Sequence, residues 1–224
     1  MATGPTKTRA AYVCNACGAA QPKWSGQCPD CGAWNSLEEV ARPISVGHRS
    51  STRVGLAGAA KEDRAALLAD IRPEERTRLS TGIAELDRVL GGGLVSGSVV
   101  LLGGDPGIGK STLLLQACEH LGTKGPVLYV SGEESHQQVG LRARRLGLTG
   151  AGIRLLAETR VETILAEAQP QGPLVMVVDS IQTLATDLLQ SAPGSVSQVR
   201  ETAAQLVRFA KGSDTAVFLV GHVT

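Results

Sequence analysis

Aromatic residues are scarce: two each of Trp, Tyr and Phe make up 3% of the 224 residues. A core here has to be built from Val, Leu, Ile and Ala, within a hydrophobic content of 42%, which suits parallel strands buried on both faces. Net charge is almost absent at +1. That excludes bulk attraction to nucleic acid or membrane and leaves only a local patch to supply it. No apolar run reaches the roughly 18 residues of a membrane span. Met1 to Ala11 also lacks the apolar segment of a secretory signal. Cysteine is sparse too, and four of the five stand as two Cys-x-x-Cys pairs. In a cytosolic chain that spacing favours a metal over disulfides, and the expected location is cytoplasmic.

What is present falls into three regions. Residues 12–36 hold the paired cysteines and both tryptophans, and read as a small metal module. Residues 37–76 read as a linker with no sustained apolar period, with Arg42, His48, Arg49, Arg53 and Arg64 among small residues and a short helix expected around Glu62 to Ala69. Residues 77–224 alternate strand-length apolar runs with helical stretches. Strands are expected at Ser98–Leu102, Val127–Val130, Ile153–Leu156, Leu174–Val178 and Ala216–Val220. The intervening helices are Ser111–Leu121, Ser135–Leu146, Val161–Ala168 and Val196–Lys211. Repeated βα units predict an α/β fold, a mainly parallel sheet flanked by helices, with functional residues at the carboxyl ends of the strands. The chain ends soon after an apolar strand, where cores of this kind usually continue, so it is read as C-terminally incomplete.

Gly104, Asp105, Pro106, Gly107, Ile108, Gly109, Lys110 and Ser111 match G-x-x-x-x-G-K-[ST] without a gap. The glycines let successive backbone N–H groups turn inward as an anion nest. Lys110 can reach the β- and γ-phosphates, and the Ser111 hydroxyl can ligate Mg²⁺. The helix that begins there, with Thr112 in its first turn, adds its positive end beneath the phosphates. Mg–ATP is the expected ligand.

The buried run Leu174–Val178 ends in Asp179, placed to hold the same Mg²⁺ through water. Between the two lies Val127–Ser131 followed by Gly132, Glu133 and Glu134. One of these acids is expected to activate the attacking water. Glu133 is preferred, although spacing alone does not separate them, and Glu134 also fits a carboxylate stabilising the start of the next helix.

Cys14, Cys17, Cys28 and Cys31 have the spacing of a tetrahedral zinc site, with ten residues between the pairs. Two tight turns can point four thiolates at one Zn²⁺, which leaves no open position for water and makes the metal structural. Trp24 and Trp34 are read as the miniature core of this module rather than a base-stacking platform. Cys118, at apolar spacing in the helix after the phosphate loop, reads as a small core residue.

Together these motifs resemble the RadA (Sms) family of bacterial DNA-repair ATPases. The likeness runs through Pro22-Lys-Trp24 and Cys28-Pro-x-Cys31-Gly, Ser80-Thr-Gly-Ile-Ala-Glu-Leu-Asp87, Gly91–Gly93 and the phosphate loop. It continues through Ser131–Ser135, Asp179–Thr183, Ala192–Glu201 and Gly221–Thr224. The resemblance implies a RecA-like P-loop core and a DNA-dependent ATPase that acts in homologous recombination and branch-migrates its intermediates. It also implies single-stranded or branched DNA as partner, homo-oligomeric rings with ATP near subunit interfaces, and a link to the RecA recombinase. It supports Glu133 as the water-activating residue and places His222 near a γ-phosphate-sensing position. Family members normally continue into a Lys-Asn-Arg-Phe-Gly motif and a Lon-like domain, which would lie beyond Thr224.

In RecA-like rings a loop at the position of Ala185–Ser195 faces the central DNA. Here it carries no Lys or Arg, so it can offer backbone N–H groups or serve only as a connection. Arg142, Arg144 and Arg145 close one helix and read as a solvated face rather than a DNA patch. Two other classes remain open. One is a RecA-core switch ATPase that cycles slowly between assemblies, and the other is a zinc-dependent adaptor that binds ATP without motor activity.

Overall fold

The computed structural model describes residues 10–41, 67–70 and 77–222. The arginines and histidine of the expected linker, and most of the helix expected at Glu62 to Ala69, lie outside the described residues. Overlapping the end of that stretch, a 3-10 turn at Leu68–Asp70 is described.

The N-terminal module is a three-stranded antiparallel ribbon, β1 (Ala10–Cys14), β2 (Ala20–Gln21) and β3 (Leu37–Ala41), in the order β2-β1-β3. It runs past residue 36, because β3 pairs with β1 from Cys14↔Leu37 to Ala10↔Ala41. Composition grouped Leu37–Ala41 with the linker. Leu37 instead packs in the interior of the ribbon with Cys14, Cys28, Tyr12 and Ala19. The tryptophans do not form this interior. Trp24 is 58% and Trp34 72% exposed, which corrects the reading of them as a miniature core. The buried hydrophobic residues of the ribbon are Cys14, Cys28 and Leu37.

The second part is a five-stranded parallel sheet, with order β4-β8-β7-β5-β6. Its strands are β4 (Val99–Gly104), β5 (Val127–Ser131), β6 (Ile153–Ala157), β7 (Val175–Asp179) and β8 (Ala216–His222). The helices are α1 (Ala84–Val89), α2 (Lys110–Gly122), α3 (His136–Arg145), α4 (Val161–Gln171) and α5 (Val196–Ser213). Every strand and helix expected from the apolar pattern of this region is present, with ends shifted by a few residues at most.

Period-two alternation in the central strands sorts their side chains between two cores. Tyr129, Val177 and Phe218 pack with Leu114, Cys118 and Leu121 of α2 and Val139 of α3. Their chain neighbours Val130, Met176 and Leu219 pack with Ile164 of α4 and Leu206 of α5 on the other face. Strands covered on both sides need apolar residues at nearly every position, which explains the uninterrupted runs in the sequence. Asp87 anchors the short α1 by accepting from Ser80 Oγ at 2.6 Å, Thr81 N at 2.8 Å and Thr81 Oγ1 at 2.7 Å. Among the described residues no helix is long and apolar enough to cross a membrane.

Candidate nucleotide and metal sites

The parallel register brings the strand ends level. Gly104 pairs with His222 across β4 and β8, and Ser131 pairs with Asp179 across β5 and β7. Four adjacent strands therefore deliver the phosphate loop, His222, Asp179 and the Glu133–Glu134 pair to one edge of the sheet. They line a cleft of about 400 Å³ together with Pro106, Gly107, Gly109, Ser111, Thr112, Arg142 and Arg145.

The phosphate loop is closed on itself. Gly107 and Gly109 have φ of 79° and 102°, in the left-handed region that a side chain resists. Gly109 is the residue from which α2 starts. Lys110 is buried, and its Nζ donates to the carbonyls of Gly104 and Asp105 at 2.7 Å each. Its ammonium is thus held inside the loop. Ile108 is an exposed apolar residue at the loop tip.

Asp179 is held by a residue that sequence reasoning missed. Tyr129 Oη donates to Asp179 Oδ2 at 2.7 Å. Burial and the neighbouring Asp179 charge push the Tyr129 phenol well above its ordinary range, so it stays a donor. No pattern in the chain announces this pair, because only strand register places Tyr129 beside β7.

The two acids after β5 have different surroundings. Glu134 is paired with Arg142 of α3, both side chains largely shielded, and its own N–H donates to Ser131 Oγ at 3.0 Å. Glu133 Oε1 accepts from Ser180 Oγ at 2.6 Å and meets His222 Nε2 at 3.4 Å. The start of α3 is capped by Ser135 and Gln138 in a reciprocal capping box, not by either acid. Arg142 does not belong to a solvated face. It turns into the cleft with Arg145, while Arg144 stays outside beside His136 and Leu141. The helical spacing of Arg142 and Arg145 was the available signal, since residues three apart share a face.

In the ribbon, two turns of like geometry face each other. Gly18 N donates to Cys14 O at 2.8 Å and Gly32 N to Cys28 O at 2.9 Å, with Gly18 and Gly32 at φ 76° and 73°. The four sulfurs lie within 4.8 Å of one another. Cys14 and Cys31 are 3.7 Å apart and Cys17 and Cys28 are 3.8 Å apart. A tetrahedron of Zn–S bonds near 2.3 Å has edges of about 3.8 Å, so the residues present fit a Zn²⁺ ion. Cys118 stands apart, buried on α2, where burial pushes its thiol up to about 12. It is an inert core residue.

Comparison with known proteins agrees with both halves. A family profile described as an AAA domain matches residues 62–224, and one described as a rubredoxin metal binding domain matches residues 12–39. The chain is similar to the DNA repair protein RadA of Pseudomonas aeruginosa, 57% identical over 218 residues, which is 97% of this chain and 47% of that protein. It is 51% identical over 228 residues to DNA repair protein RadA of Escherichia coli, covering 100% of this chain and 48% of the relative. To that of Bacillus subtilis it is 46% identical over 220 residues, covering 97% of this chain and 47% of the relative. The chain thus spans about half the length of the curated relatives it matches.

Proposed function

This chain belongs to the AAA domain family, and from that premise we propose that it binds and hydrolyses Mg–ATP as the nucleotide-driven part of a DNA-repair ATPase. The observation that carries the reading is the convergence of Lys110, Ser111, Asp179, Glu133 and His222 on one cleft at the ends of four adjacent strands.

In this reading the phosphate loop amides and Lys110 hold the β- and γ-phosphates, with Lys110 exchanging its Gly104 and Asp105 carbonyl partners for phosphate oxygens. Ser111 and Asp179 hold Mg²⁺, Asp179 with one oxygen already engaged by Tyr129. Bound there, Mg²⁺ supplies neutralisation of phosphate charge. Glu133 orients the attacking water and takes its proton on a carboxylate oxygen. Ser180 and His222 both meet Glu133 Oε1, and in this reading His222 reports γ-phosphate occupancy to that base. Glu134 does not share the task, because Arg142 engages it. Zn²⁺ held by Cys14, Cys17, Cys28 and Cys31 is structural.

The relatives are DNA repair proteins by name. Hydrolysis by this chain is accordingly read as DNA-dependent and as serving recombination, with single-stranded or branched DNA as effector, ring assembly, and the RecA recombinase as a partner. Steady-state hydrolysis by zinc-loaded protein, with and without single-stranded DNA, tests this. DNA-stimulated turnover lost in Lys110→Ala supports it. Turnover with no response to DNA would support a switch ATPase instead, and tight nucleotide binding without turnover would reject hydrolysis by this chain.

A further inference from the structure

Glu39, the third residue of β3, is only 8% exposed. Its carboxylate reaches out of the ribbon to two consecutive backbone amides of the α/β part. Gln190 N donates to Oε1 at 2.9 Å and Ser191 N donates to Oε2 at 2.8 Å. A shielded carboxylate demands such donors, and amides that bond a full negative charge are held more firmly than those on a neutral acceptor. Next to it, Glu38 accepts from Arg200 Nη1 of α5 at 2.8 Å and from Asn15 Nδ2 of the first metal turn at 2.5 Å. Leu189 is buried beside Glu39. The two adjacent acids of the ribbon are thus both committed to contacts with the core.

The segment they grip follows the site directly. It begins after Asp179, Ser180 and a 3-10 turn at Ile181–Thr183 and ends where α5 starts. Its first half is held from within the core. Thr186 N donates to Gln198 Oε1 at 2.8 Å, and Asp187 N donates to Glu162 Oε1 at 3.2 Å. The core also reaches Ser191 through its carbonyl, which accepts from Gln198 Nε2 at 2.9 Å. The amides of Gln190 and Ser191, by contrast, have Glu39 as their acceptor. Glu39 in turn stands opposite Tyr12 on β1, two residues from the ligand Cys14. Strand pairing links the metal turn to the grip on the loop.

We infer that the metal-bound ribbon is an intramolecular clamp on the loop of residues 186–195, with Glu39 as the positioning residue that makes zinc occupancy set the order of that loop. The clamp acts on backbone order and does not depend on nucleotide turnover. Losing the metal releases β1 from its turn, and β3 and Glu39 go with it. The Gln190–Ser191 amides then open to water while the sheet behind them stays closed.

Amide exchange followed by NMR on zinc-loaded protein, zinc-stripped protein and a Glu39→Ala variant reads this directly. The Gln190 and Ser191 amides are expected to exchange about tenfold faster or more in both altered forms. Amides of β5 and β7 keep their rates, and Glu39→Ala keeps one zinc per chain. Unchanged exchange at Gln190 and Ser191 in either form would overturn the clamp. So would acceleration throughout β5 and β7, because the ribbon would then be part of the global fold. Loss of zinc by Glu39→Ala would also reject it, since Glu39 would then be holding the ribbon together and not the loop.

Discussion

The Tyr129 hydroxyl donates to Asp179 Oδ2 at 2.7 Å, joining a fully buried phenol on β5 to the carboxylate at the end of β7. One carboxylate oxygen is therefore oriented by the fold itself. Tyr129→Phe removes the donor and keeps the ring that packs between α2 and the sheet. We expect a stability loss of about 1 kcal/mol and a three- to tenfold rise in the Mg²⁺ concentration that supports nucleotide binding. Titrating Mg²⁺ against a fluorescent ATP analogue checks this. An unchanged Mg²⁺ requirement would show that the bond serves folding alone.

Glu133 and Glu134 should separate cleanly on substitution. Glu133→Gln is expected to keep ATP affinity and to slow hydrolysis by about 10²-fold or more, the usual size of a lost general base. Glu134→Gln should do the opposite, leaving turnover within a few-fold while lowering the melting temperature, because Arg142 keeps its charge in a shielded place and loses its partner. Single-turnover kinetics and thermal melts on both variants decide the assignment, and a reversed pattern would exchange the two roles.

Zinc content should be one ion per chain, measured by elemental analysis. Cys17→Ser or Cys31→Ser should lower it to well below half, since three thiolates leave a weaker site. Cys118→Ala should leave it unchanged, because that thiol lies buried on α2. Zinc retained at full stoichiometry by Cys31→Ser would reject the four-thiolate site.

Glu119 is one of the carboxylates whose pKa is lowered in the fold, with Glu85, Asp87 and Glu158, and its share of the acid response can be tested separately. Glu119 on α2 accepts from Thr149 N and Gly150 N at 2.9 Å each and from the Thr149 hydroxyl. The Thr149 hydroxyl is the main reason its pKa is lowered below the ordinary 4.5. A folded value below the unfolded one means that this contribution is fully present above about pH 5 and is lost as pH falls through the folded value. Melting temperatures measured from pH 7 down to pH 3 should drop less steeply for Glu119→Gln than for the unaltered protein. Parallel curves would show that Glu119 does not contribute to the acid response.

The phosphate-loop motif, the four paired cysteines and the βα alternation were all legible in the chain, because each is a local pattern. Glycine spacing dictates backbone turns within a few residues, cysteine pairs dictate two-ligand turns, and strands buried on both faces must be apolar throughout. Two readings failed where the decision was not local. Trp24 and Trp34 looked like core because large apolar residues usually are, yet both stay exposed while Cys14, Cys28 and Leu37 form the interior of the ribbon. Arg142 looked solvated because its helix is rich in charge, yet the packing of α3 turns it towards Glu134.

The amino-acid sequence by itself determined the class of fold, the phosphate loop with its following helix, and the candidate ligands for metal and nucleotide, since those depend on residues close together along the chain. Tertiary structure alone decided which acid pairs with Arg142, which hydroxyl orients Asp179, and what the ribbon touches. These contacts join residues 50 positions apart for Tyr129 and Asp179 and 151 apart for Glu39 and Gln190. Strand register brings the first pair together and packing of the ribbon against the core brings the second, and neither is written in any short stretch of residues.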